Sequence, residues 1–90
     1  MTAKIDKTRY CYAVREITKN EFEEIQHNGM STLTSGKGKS KRFFVTLYSN
    51  IGHSSGFEMV LKSRGYTGKF LIMEHVGKKT NPEILREFEI

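Results

Sequence analysis

The residues able to do chemistry are few and scattered. His27, His53, His75 and the single Cys11 stand far apart, with no two at the spacing of a metal-ligand pair. One cysteine makes neither a disulfide framework nor a Cys-rich zinc site, and Cys11, inside an alternating apolar run, reads as a core thiol. Glu74 and His75 are sequence neighbours, so on a strand they point to opposite faces and cannot act together as a general acid and base beside a phosphate clamp. Gly38-Lys39-Ser40 has the ending of a phosphate-binding P-loop, but Leu33 stands where the first glycine belongs. A chain of 90 residues also leaves no room for the parallel sheet and metal-binding carboxylate of that chemistry. The expectation is a protein that is not an enzyme and uses no metal and no cofactor.

Charge is the stronger signal. The net charge is +5, and residues 36–79 hold nine Lys or Arg against two Glu, whereas residues 1–35 are balanced. The cations are Lys37, Lys39, Lys41 and Arg42 in one run, then Lys62, Arg64, Lys69, Lys78 and Lys79 as a second patch. Such a concentration of one sign attracts polyanions, nucleic acid above all.

The elements that must position these cations follow from periodicity. Arg9 to Ile17 alternates as a strand, with Tyr10, Tyr12 and Val14 on one face and Cys11 and Ala13 on the other. Thr18-Lys19-Asn20-Glu21 matches a capping box, flanked by an Ile17 and Phe22 staple, and opens a short helix closed by Asn28-Gly29. Met30 to Thr34 is the weakest strand, and the flexible basic run 35–42 makes the tip of a hairpin. Phe43 to Tyr48 is the strongest strand: Phe43, Val45 and Leu47 face the helices, Phe44, Thr46 and Tyr48 the other way. Ser55-Gly56-Phe57-Glu58 reads as a second capping box, for a helix ending at Gly65, and Lys69 to Val76 reads as a central strand. Residues 82–90 fit a helix or a strand equally well. This is one domain, 1–90, of class α+β: an antiparallel sheet with two short helices on one face, in the ferredoxin-like βαββαβ order, plus a C-terminal tail.

With that alternation, Phe44 and Tyr48 lie on an open sheet face, joined by Tyr10 and Tyr12. The layout resembles that of the RNA-recognition motif, which stacks bases on sheet aromatics beside a basic rim. The sequence departs from that family's third-strand pattern, offering Lys41, Arg42, Phe43 and Leu47 around Phe44-Val45.

Composition excludes several classes. Hydrophobic residues at 37% with six Phe and four Tyr are too many for a disordered tail, and no run nears the ~18 apolar residues of a membrane span. The polar start MTAKIDKTRY lacks the apolar core of a signal peptide, so a cytoplasmic location without a membrane partner is expected. Two functions fit. The first is a small basic nucleic-acid-binding protein, RNA favoured over DNA, contacting RNA or another polyanion through Lys37, Lys39, Lys41, Arg42, Lys62, Arg64, Lys69, Lys78, Lys79, Phe44 and Tyr48. The second is a protein-binding inhibitor or adaptor, such as a phage or mobile-element accessory protein, with a protein target or a second copy of the chain as its partner.

Overall fold

The computed structural model describes residues 7–29, 31–77 and 82–90. Its elements are β1 (Arg9–Ile17), α1 (Lys19–His27), β2 (Thr32–Ser35), a 3-10 turn (Gly38–Ser40), β3 (Arg42–Ile51), α2 (Phe57–Ser63), β4 (Lys69–Val76) and β5 (Glu83–Glu89). All five strands form one sheet in the order β2-β3-β1-β4-β5, with every neighbouring pair antiparallel. Among the described residues no helix is long and apolar enough to cross a membrane.

Both helices pack on the same side. Phe57 and Leu61 of α2 join Cys11, Ala13, Phe70 and Ile72 in one cluster. Phe22 of α1 meets Phe43, which pairs with Ile17 of β1 and so shares the Cys11 and Ala13 face. On the reverse face Val14, Phe44, Leu71 and Met73 form a second buried cluster, packed by Tyr12, Leu33 and Ile84. A sheet buried on both sides explains why β4, Lys-Phe-Leu-Ile-Met-Glu-His-Val, reads as a nearly continuous apolar run.

The first helix starts as its sequence dictates. The Thr18 side-chain oxygen accepts from the Glu21 backbone N–H at 3.2 Å, and the Glu21 carboxylate accepts from the Thr18 N–H at 3.1 Å, completing the capping box. Gly29 follows the helix with φ 76°, a left-handed turn. At α2 the expected capping box does not form. Gly56 is itself the N-cap, with φ 82° and no side-chain cap bond, so the helix starts at Phe57.

Two β-bulges account for the other departures. In β3, Ala13 pairs with Tyr48 and Val14 with Thr46, so Leu47 is the extra residue. The bulge turns Tyr48 onto the helix side, where its ring meets Phe57 edge-on at 5.0 Å, instead of leaving it beside Phe44. In β5, Ile72 pairs with Arg86 and Met73 with Ile84, leaving Leu85 unpaired and 49% exposed. Ile84 and Phe88 therefore serve opposite faces despite their even spacing, and that hides the strand from a period-two search.

Two substitutions test this packing. Phe57 is 1% exposed, so Phe57→Ala should cost about 3–5 kcal/mol in denaturant unfolding. The Thr46 hydroxyl is buried with no hydrogen-bond partner among the described residues, and Thr46→Val keeps the shape while removing the desolvated group. Thr46→Val should raise the unfolding free energy by about 1 kcal/mol. A fall in stability would mean that the hydroxyl is satisfied in solution.

Candidate nucleic-acid interface

Strand direction gathers the cations at one end of the sheet. Ile17, at the end of β1, pairs with Phe43 near the start of β3, and Val14 lies opposite Leu71 while Arg9 lies opposite Val76. The β2–β3 connection, the first residue of α1 and the start of β4 therefore share an end, which brings Lys19, Lys37, Lys39, Lys41, Arg42 and Lys69 together.

The basic run folds as a defined turn. The Ser40 N–H donates to the Lys37 carbonyl and the Lys41 N–H to the Gly38 carbonyl, both at 3.2 Å. Gly36 makes this possible, because its φ is 85° and a Cβ there would stand 2.7 Å from the Ser40 carbonyl oxygen. Lys37, Lys39 and Lys41 are exposed on this turn and make no ion pair among the described residues.

The other cations predicted from sequence are placed differently. Arg42 is held by Glu16 through two parallel hydrogen bonds, Nε at 2.8 Å and Nη2 at 2.7 Å, with its guanidinium over the Phe44 ring. Lys69 stands opposite Glu89 in the β4–β5 register, and Lys62 shares a cleft with Glu58 and Glu89. Arg64 lies over the Tyr48 ring at 5.2 Å, on the helix side. Arg15, which the sequence did not single out, rests on Phe70 at 4.8 Å and donates to the Thr67 carbonyl. Lys78 and Lys79 lie outside the described residues. Gly77, which precedes them, is at the opposite end of β4 from Lys69.

The aromatic platform expected from Phe44 and Tyr48 is corrected on both counts. Phe44 has no exposed surface on which a base could stack, and the bulge carries Tyr48 to the other face. Tyr10 and Tyr12 do share the Phe44 face, but they enclose His75, with ring centroids 4.9 and 5.6 Å away. Since a carbonyl only accepts, the His75 Nδ1–H donates to Gly77 at 3.2 Å, and Nε2 shares a hydrogen bond of 2.7 Å with the Tyr12 hydroxyl. Burial, aided by Tyr10 and Cys11, pushes the Tyr12 hydroxyl up. Burial and then the Glu74 carboxylate push the Cys11 thiol up, away from the reactive thiolate. No group of His, Cys, Asp and Glu among the described residues is placed to hold a metal.

Sequence reasoning missed an aromatic pair beside the basic turn. Phe22 and Phe43 are both half-buried, tilted at 55° with centroids 4.9 Å apart, and they line a groove of about 540 Å³ with Lys19, Gln26, Lys39 and Lys41. Lys19, Phe22, Glu23 and Gln26 fall at i, i+3, i+4 and i+7 along α1, which is the stripe that could have revealed the site. No family model matches the chain, and no curated protein or solved structure is significantly similar to it.

The Glu16–Arg42 pair makes a pH-dependent prediction. Its hydrogen bond with Arg42, partly offset by burial, holds the Glu16 carboxyl below the ordinary glutamate value of 4.5. A depressed folded-state value stabilises above the unfolded value and is lost as pH falls through the folded one. With side chains 44% and 42% exposed, the contribution is modest and screened by salt. Melting at low salt should therefore fall more steeply from about pH 5 to 3 in the wild type than in Glu16→Gln. Parallel curves would show that the pair contributes nothing in solution.

Proposed function

We propose that this chain is a small, non-enzymatic nucleic-acid-binding protein, with single-stranded RNA favoured over DNA, that grips phosphates at the basic end of its sheet. The observation carrying this reading is the formed turn that presents Lys37, Lys39 and Lys41 to solvent without carboxylate partners among the described residues. Lysines so placed meet successive phosphates as point charges, and releasing counterions from the strand drives association. Lys19 extends the same surface, whereas Arg42, Lys62 and Lys69 contribute less because of Glu16, Glu58 and Glu89.

Single-stranded RNA is favoured over duplex DNA because α1 and α2, of nine and seven residues, are separated by two strands. They form no helix-turn-helix pair for a major groove, and unpaired strands suit a small basic end with aromatic rings beside it. The strand run β2-β3-β1-β4 with both helices on one face supports a split-βαβ, ferredoxin-like arrangement extended by β5 as an edge strand. Work in the cytoplasm belongs to the same proposal.

Salt dependence tests it. Anisotropy titrations of a labelled 12-nucleotide single-stranded RNA should give a negative slope of log K against log salt. Replacing Lys37, Lys39 and Lys41 by Gln should flatten that slope by about 2, from ~0.7 per phosphate contact, with an unchanged melting temperature. A flat response in the wild type, with a stoichiometric protein partner that survives ribonuclease, would replace this reading with that of a protein-binding inhibitor or adaptor.

A further inference from the structure

Resting on that reading, we propose that the groove between α1 and the basic turn is a base-binding subsite, in which one unstacked nucleobase lies against Phe22 and Phe43 while the turn lysines hold its flanking phosphates. The rings sit at the foot of the turn that carries the charge. Lys41 Nζ lies 5.9 Å from the Phe43 ring centroid, and Lys39 and Lys19 line the same groove. A phosphate on these cations brings its own base within reach of the rings, because base and phosphate of one nucleotide are separated only by the sugar.

The state of α1 supports the same assignment. No residue of this helix is buried, so Phe22 keeps part of its ring surface uncovered where a core helix would bury it. Phe22 and Phe43 meet at a tilt and not in a parallel stack, and both rings line the groove. Gln26 stands one turn beyond Phe22 on the same stripe. Its amide can both donate and accept, as the polar edge of a base requires. Glu23 also lines the groove and opposes a phosphate there, which places the backbone on the side of Lys39 and Lys41 and the base on the side of α1.

The experiment compares two ligands of equal charge: a 12-nucleotide single-stranded RNA and an abasic strand of the same length. The intact wild-type protein should bind the base-bearing strand about 5- to 150-fold more tightly at one salt concentration, the range for one stacked base. The ring resonances of Phe22 and Phe43 should shift with that strand and stay in place with the abasic one. Phe43→Leu, which keeps an apolar side chain of similar size, should remove most of the preference and leave the salt slope unchanged. Equal affinity of the wild type for both strands overturns the subsite while the electrostatic grip stands. A base preference that persists in Phe43→Leu, or ring resonances that stay in place, also overturns it. No salt-dependent binding to either strand overturns the nucleic-acid reading itself, and the subsite with it.

Discussion

Everything in this small protein hangs on β1, the central strand, which is hydrogen-bonded to β3 on one side and β4 on the other. Its residues must therefore serve two faces at once. Ala13 and Val14 are both fully buried, one beneath α2 and the other in the reverse cluster. With nothing between them but the backbone, neither face can shift its register without displacing the other. A register slip of one residue would exchange the two clusters and drive Tyr12 and Val14 against α2. The direction of β1 also decides which loops share an end, and so gathers the turn lysines beside the first residue of α1.

Ion pairing then sorts the cations. The composition shows only a surplus of positive charge, but the folded chain closes off part of it by geometry. Arg42, last in the basic run, is clamped by Glu16 from the neighbouring strand, and its guanidinium caps the Phe44 ring. Arg9 and Arg86 are joined to Glu74 and Glu58. The lysines of the turn stand beyond the last paired residues of β2 and β3, Ser35 and Arg42, and make no ion pair among the described residues. A sequence run that looks uniform is thus divided into a structural arginine and three outward lysines.

Much of the scaffold was legible because local signals agreed with the fold. The bounds of β1 and β4, the Thr18 cap and the hairpin tip at the Gly/Lys run come from alternation, capping chemistry and glycine placement. The misread facings have one physical origin: a bulge inserts an extra, unpaired residue into one strand, and no local pattern announces it. Leu47 and Leu85 are such residues, and each reverses the facing of the strand beyond it. That is why Tyr48 reads as a partner of Phe44 and why residues 82–90 fit a helix as well as a strand. The groove lined by Phe22 and Phe43 was illegible for a related reason. Both rings satisfy the pattern of core residues, and only the shallow seating of α1 leaves them accessible.

The outer edge of the sheet has a consequence for how copies of the protein meet. Strand β5 presents Glu83, Glu87 and Glu89, all exposed, and a bulge at Leu85, while the opposite edge, β2, is four residues long. Two β5 edges brought together would have to pair across a kinked ladder, and two β2 edges could exchange few hydrogen bonds. Either edge is a poor template for adding another strand. Both ends of the sheet are therefore guarded by the geometry of the strands themselves, one by a bulge and the other by brevity.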